Sequence, residues 1–344
     1  MGNNERYGTK LERTVVETIS NRLPAGWVIT IGQKSEETLL TLKASDSRKA
    51  ILKVISRKNM TPRDIANLVQ GEASQIILVA PFLSPRTRDL IVQAGASYAD
   101  AAGNLRLVVK NPAVFLENNV QDKNPQSGIP RTLRSLKGAT AGRVIRALCD
   151  FLPPYGVRTL AEHAAIPLGT VSRVISFLEE EALLTRDSKK QIVAVDWQAL
   201  ITRWARDYNV MTSNVLGSYL EPRGLSALAS KLLKLDCYAV TGSLAGAGIA
   251  PARLAMIYVE DAQAAARNLE LTETDTGANV WLLEPYDKVV FERTQSIIFG
   301  LIKVTAVAPS QVAVDLLTSP GRGPQEAQVL IEQMKGNEHV WRKS

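Results

Sequence analysis

Apolar positions along the chain alternate between short continuous runs and stripes at helical spacing. Near the N-terminus LERTVVETISNRL has the 3.6-residue period, whereas TLLTLKA, AILKVIS and QIILVAP are compact apolar runs of strand character. TPRDIANLVQ and SPRTRDLIVQAG each begin with a hydroxyl residue followed by proline, which opens a helix. ASYADAAGNLRLVV reads as a hairpin turning at Gly103-Asn104. These elements predict a first α/β domain over 1–120. Glu117 to Pro130, ENNVQDKNPQSGIP, has no apolar period and marks a linker, placed at 121–133. A small domain follows at 134–196, and helices in ALITRWARDYNVM and GLSALASKLLKL open a third region at 197–344. There YAVTGSLAGAGIA, RLAMIYVED, NVWLLEP and SIIFGLIKVTAVA give strands. PSQVAVDLLTS and GRGPQEAQVLIEQM give helices, the latter opening at Pro324. The expected class is α/β (α+β), multidomain, without internal repeats.

The stretch from Arg158 to Asp187, RTLAEHAAIPLGTVSRVISFLEEEALLTRD, carries the most specific pattern. Thr159-Leu160-Ala161-Glu162 has the spacing of a capping box. Ala161 and Ala165 are small where two helices must cross, and Pro167 suits the start of a helix rather than its interior. The next helix, about 168–181, places Val171, Val174, Ile175 and Leu178 on one buried stripe. Its opposite face carries Thr170, Ser172, Arg173 and Ser176 and has no acid before Glu179. A helix that enters a DNA groove must keep carboxylates away from phosphates, so this polarity points to nucleic acid. Two short strands follow, Leu183–Arg186 and Gln191–Val195, joined by the turn Asp187-Ser188-Lys189-Lys190. A basic hairpin tip beside such a helix reads as a wing. The competing reading is a three-helix packing unit with a solvated basic face.

Composition adds location to this picture. The 344 residues carry 41 Lys and Arg against 34 Asp and Glu, a net charge of +7 that alone serves solubility as well as it serves DNA binding. The excess is concentrated: Arg131, Arg134, Lys137, Arg143, Arg146 and Arg158 precede and open the helical segment, with Asp150 the single acid among them. The helix at about 140–151 supplies Val144, Ile145 and Leu148 to the core and leaves Arg143 and Arg146 for solvent or phosphate. The candidate DNA-binding set is therefore Arg134, Lys137, Arg143, Arg146, Thr159, Gly169, Thr170, Ser172, Arg173, Ser176, Lys189 and Lys190. No apolar run approaches a membrane span and the first residues lack a secretory core, so a cytoplasmic, nucleoid-associated protein is expected. Cys149 and Cys237 read as small core residues. Two cysteines and two distant histidines, His163 and His339, do not form a zinc site.

Enzymatic readings find little support. The first domain has the run of elements of restriction-endonuclease-like domains, but the metal-binding acid expected two residues before Lys53 is Ile51, and Asp46 stands alone. Asp100 and Asn104 read as turn residues. In the third region Gly246-Ala247-Gly248 is followed by Pro251 and lacks the helix and acid of a dinucleotide site. Gly242-Ser243 would suit a nucleotidyltransferase-like domain, yet the following strand, LAMIYV, bears no carboxylate pair, leaving at most a degenerate form. No catalytic residue, cofactor or metal is expected, although a DNA-processing enzyme docked by its wing remains a second reading.

TVSRVISFLEEEALLTR resembles the winged-helix families of bacterial transcription regulators. Together with GASYADAAGN, SLKGATAGRVIRALCDF, YLEPRGL, YAVTGSLA and VAPSQVAVDLLTSPGRGPQEAQVLI, it resembles the AbiEi-like antitoxins of type IV toxin-antitoxin systems. That family carries its winged helix at the N-terminus, whereas about 130 residues precede it here. The resemblance implies base-edge reading by Thr170, Ser172 and Arg173 and phosphate contacts from Lys189 and Lys190. It further implies repression from inverted repeats, a homodimer on double-stranded DNA, and a partner toxin.

Overall fold

Strands in the first hundred residues alternate apolar with polar side chains until Ile76–Ala80, whose five residues are all buried. One face of the early strands therefore meets a core, and the strand at Ile76–Ala80 is enclosed on both sides. The computed structural model describes residues 2–34, 37–120, 135–246, 248 and 252–343. The chain is mixed α/β and divides into two compact units. One comprises 1–132 with 180–182, the other 133–179 with 183–344.

In the first unit, helix α1 (Gly2–Ser20) precedes strands β1 (Val28–Lys34), β2 (Glu37–Lys43) and β3 (Lys49–Ser56). A single-turn α2 (Ile65–Leu68), β4 (Ile76–Ala80) and α3 (Pro85–Gln93) follow. β5 (Ser97–Asp100), β6 (Leu105–Val109) and β7 (Val114–Asn118) complete the unit. The seven strands lie in sequence order in one sheet, antiparallel except for the parallel pairs β3–β4 and β4–β5. Val15 and Ile19 of α1 pack with Leu40, Leu42, Leu52 and Val54 on one face, while Ile65, Leu83 and Ile91 cover Ile76, Leu78 and Tyr98 on the other. The turn at Gly103-Asn104 forms as expected. Asp100, fully buried, accepts from the Asn104 amide and side chain and from the Leu83 amide, so it closes the turn rather than facing a ligand. TPRDIANLVQ yields a 3₁₀ turn and the short α2 in place of a full helix, held where Asp64 accepts from the Thr61 amide and hydroxyl.

The second unit opens with α4 (Ala139–Asp150), α5 (Val157–Ala164), α6 (Leu168–Glu180), β8 (Leu184–Arg186) and β9 (Ile192–Val195). It continues through α7 (Trp197–Trp204), α8 (Val210–Ser213), β10 (Val215–Leu220), α9 (Leu225–Leu232), β11 (Tyr238–Thr241), β12 (Ala255–Val259), α10 (Ala262–Asn268) and β13 (Thr272–Glu273). β14 (Val280–Glu284), β15 (Gln295–Phe299), β16 (Ile302–Ala306), α11 (Pro309–Leu317), α12 (Gly323–Gly336) and α13 (Glu338–Trp341) end it. Seven of these strands form a second mixed sheet in the order β13-β10-β14-β12-β11-β16-β15, and β8 and β9 form a separate two-stranded sheet. Strands β1, β7, β10 and β13 were not evident from sequence. β10 interrupts what the spacing suggested was helix running from α7 towards α9.

One apolar core runs without a break from the helices around α6 to the second sheet, so the structure shows no separation at residue 196. The physical reason is α4, which is buried nearly all round and packs on α5, α7 and α11. At Gly142 an added Cβ would stand 2.2 Å from the Tyr286 hydroxyl, so that crossing needs glycine. Arg342 donates to the carbonyl oxygens of Leu148, Cys149 and Phe151, placing a guanidinium on the negative end of α4.

Candidate nucleic-acid interface

Helix α6 forms where its sequence pattern places it. Val171, Val174, Ile175 and Leu178 are buried, while Gly169, Ser172, Arg173 and Ser176 are exposed and Thr170 is half-buried. The Arg173 guanidinium rests against its own helix, donating to the Gly169 carbonyl at 3.4 Å and the Thr170 hydroxyl at 3.2 Å. Leu168, 45% exposed, leaves an apolar side chain in solvent at the leading end that the sequence reading did not single out. Glu179, at the far end, is paired with Arg186 of β8, which offsets its charge. Arg203 of α7 lies over the Phe177 ring, 5.5 Å from its centroid, and helps fix the back of α6 against the rest of the unit.

The turn ahead of α6 is built differently from the sequence expectation. α5 begins after Gly156, with the Leu160 amide bonded to the Gly156 carbonyl, and Thr159 makes no capping bond. The capping box is therefore absent. Thr159 sits exposed within the first turn, because the helix starts three residues earlier than the box requires. Ala165 ends α5 in the left-handed region at φ 52°, so alanine occupies a conformation that favours glycine.

The wing is a tight turn organised by a carboxylate. Asp187 accepts from the Lys189 amide at 2.9 Å and the Gln191 amide at 2.8 Å, and its carbonyl accepts from the Lys190 amide at 3.0 Å. Lys189 and Lys190 are consequently both presented to solvent. Tyr155 exchanges two backbone bonds with Ile192 and anchors the hairpin to the segment before α5.

Basic residues upstream separate into two groups. Lys137 and Arg158 are exposed, whereas Arg134 lies outside the described residues. Arg146 is a correction: it is fully buried and cannot reach phosphate. Its guanidinium donates to Asp150, Gln311 and the carbonyls of Val289 and Glu292, at 3.0–3.3 Å. Arg143 is likewise turned inward, its Nε–H shared between the two Asp287 carboxylate oxygens at 2.9 and 3.0 Å, and its side chain is 23% exposed. Both lie on a helix buried on nearly every side, which helical spacing alone does not reveal. Cys237 is exposed rather than a core residue; Cys149 is buried, and burial raises its thiol pKa. Compared with family models, curated proteins and solved structures, the chain matches none.

Behind this surface the structure holds a polar cluster that sequence reading missed. Asp315 of α11, fully buried, accepts from the hydroxyls of Tyr208, Tyr258 and Thr241 and from the Gln311 side chain, at 2.7–3.1 Å. Burial raises its carboxyl to about 6 and keeps the Tyr208 and Tyr258 hydroxyls protonated far above their ordinary range. Gln311 bridges this cluster to Arg146, so an unbroken polar chain runs from α4 into the second sheet. No local sequence signal marks it, since its members lie up to 169 positions apart, from Arg146 to Asp315.

The positions weighed for catalysis each meet neighbours in their own part of the chain. Asp46 is bonded to Arg48 in the β2–β3 turn, and Lys53 is paired with Glu37 at 2.6 Å. Gly242 starts a 3₁₀ turn at φ 65°, where a Cβ would stand 2.8 Å from the Met256 sulfur, so glycine there serves a tight turn against β12. Among the described residues no three His, Cys, Asp or Glu side chains converge as a metal site, and no helix is long and apolar enough to cross a membrane.

Proposed function

We propose that this chain is a sequence-specific, double-stranded DNA-binding transcription regulator that acts without catalysis. In this reading α6 enters the major groove and the wing, about 186–191, lies on the backbone or in the adjacent minor groove. The observation that carries it is the exposed face of α6. It presents Thr170, Ser172, Arg173 and Ser176 with no carboxylate over its first two and a half turns, the exposed Glu180 standing at the far end, and it is followed in the chain by a turn whose backbone bonding presents two lysines. Arg173 is the base reader: a bidentate arginine–guanine contact contributes about 1–3 kcal/mol of discrimination. Lys189 and Lys190 hold phosphate, and Lys137 and Arg158 extend that contact. A homodimer on an inverted repeat is the arrangement that suits such a module. The resemblance to AbiEi-like antitoxins makes autorepression beside a partner toxin the specific form proposed. The sequence reading places a degenerate endonuclease-like domain ahead of the winged helix and a degenerate nucleotidyltransferase-like one after it.

The test is a mobility-shift titration on the DNA upstream of the protein's own coding region. Wild type should shift it in preference to random duplex, and Arg173→Ala should lose most of that preference. Equal behaviour of the two proteins at low salt would contradict base reading by α6. Magnesium- or manganese-dependent DNA cleavage abolished by Asp46→Ala or Lys53→Ala would favour the enzymatic reading instead.

A further inference from the structure

Among the described residues, helices cover only part of the first sheet. α2 and α3 pack over β4, β5 and the Ile55 end of β3, while the same face of β1, β2 and the Lys49–Lys53 part of β3 is left exposed by the described residues of this unit. The registers Val28↔Lys43, Lys43↔Lys49 and Leu39↔Lys53 place Lys43, Lys49 and Lys53 on that open face, and the two-residue alternation adds Lys34. All four lysines are exposed. Among the described residues of these strands the only acid on this face is Glu37, which is engaged by Lys53 at 2.6 Å. Lys34 stands directly across from that same Glu37, and Lys43 and Lys49 have no acidic partner among the described residues.

Two features separate this face from an ordinary solvated one. Lys43 and Lys49 are direct cross-strand partners, an arrangement that like charges disfavour. Edge protection by lysine explains a charge on β1 but not these, because β2 and β3 lie inside the sheet. The face exposes Ile51, 55% accessible, between Lys49 and Lys53, and Val28, 53% accessible, across from Lys43, in place of acids that would neutralise it. Four residues of strand put Lys49 and Lys53 about 13 Å apart, far enough to meet separate phosphates.

We propose that the open face of β1–β3 is a second, sequence-independent contact for the phosphate backbone of duplex DNA. The lysines act there as point charges that displace counterions, and the aliphatic side chains lie against sugar. The choice of duplex DNA among polyanions rests on the function proposed above, but the contact itself does not require α6. It makes the first unit an anchor that raises affinity for any duplex and leaves selection of sequence to the winged helix.

The experiment is a salt titration of full-length protein on a random-sequence duplex from 50 to 200 mM, comparing wild type with Lys34→Gln/Lys43→Gln/Lys49→Gln. Three lost phosphate contacts should make the slope of log K against log salt shallower by about 2–3. Affinity at 50 mM should fall at least tenfold, with the ratio of specific to random binding unchanged. The corresponding triple Lys→Arg variant should keep the wild-type slope, which separates lost charge from lost folding. A triple Gln variant with the wild-type slope overturns the proposal. If Arg173→Ala loses sequence preference while the triple variant keeps its slope, only this inference fails. If the triple variant loses its slope while Arg173→Ala and a Lys189→Gln/Lys190→Gln variant match wild type, the second contact stands and the winged-helix reading fails.

Discussion

Replacing Arg146 by methionine keeps an aliphatic stem of similar length and deletes the guanidinium. Four hydrogen bonds disappear with it, to Asp150, Gln311 and the carbonyls of Val289 and Glu292, in a site closed to solvent. Asp150 retains Arg293 and the Ser310 hydroxyl, so its charge is not abandoned, but two carbonyls and the Gln311 oxygen lose a charged donor. Removing one member of a buried ion pair costs about 3–5 kcal/mol, and the surviving Arg293 contact places this case near the lower end. Urea unfolding followed by tryptophan fluorescence is the assay, since Trp197, Trp204, Trp281 and Trp341 all belong to the second unit and only Trp27 lies outside it. With m of about 2–3 kcal/mol per molar, the midpoint should fall by at least about 1 M. A loss below about 1 kcal/mol, accompanied by weaker DNA binding, would show that the guanidinium faces phosphate and that the buried network is wrong.

Further outcomes follow from other parts of the structure. Asp315 has a folded pKa near 6, above its ordinary value of 3.8, so the folded state binds its proton more tightly. The resulting stabilisation is complete below about pH 4 and is lost as pH rises through 6, a change of about 3 kcal/mol. Unfolding of Asp315→Asn and wild type at pH 4.5 and 7.5 should show the variant gaining relative stability with pH; a difference independent of pH would refute this. Ala165→Gly should raise stability by up to about 1 kcal/mol in thermal or urea melts, because φ is 52° there, and a loss would contradict the strained turn. Lys189→Gln/Lys190→Gln should reduce the salt slope by about 2 without changing base preference, measured by fluorescence anisotropy. Gly142→Ala should destabilise the second unit through its clash with Tyr286, seen as a lowered urea midpoint.

Local chemistry was legible where it is written in neighbouring residues. Val171, Val174, Ile175 and Leu178 announce the buried side of α6 by period alone, and Gly103-Asn104 announces its turn. The wing was visible as a lysine turn, though the part Asp187 plays in shaping it was not. Strands β1 and β10 escaped notice because each buries few side chains, so their alternation is faint. Arg143 and Arg146 were misjudged for a different reason. A helix period tells which residues share a side, not how many sides are covered, and α4 is enclosed not only by the neighbouring α5 but by α7 and α11 from distant parts of the chain. The Asp315 cluster and the lysine face of β1–β3 arise from pairings that only the folded chain brings together.

Selection from a pool of random duplexes, run side by side with wild type and with Thr170→Ala/Arg173→Ala, tests base reading by α6 most directly. Wild type should enrich a motif containing a fixed guanine, and the double variant should enrich none or one with that position relaxed. Recovery of the same motif by both proteins, or of no motif by wild type, would contradict the assignment of α6 as the reading element.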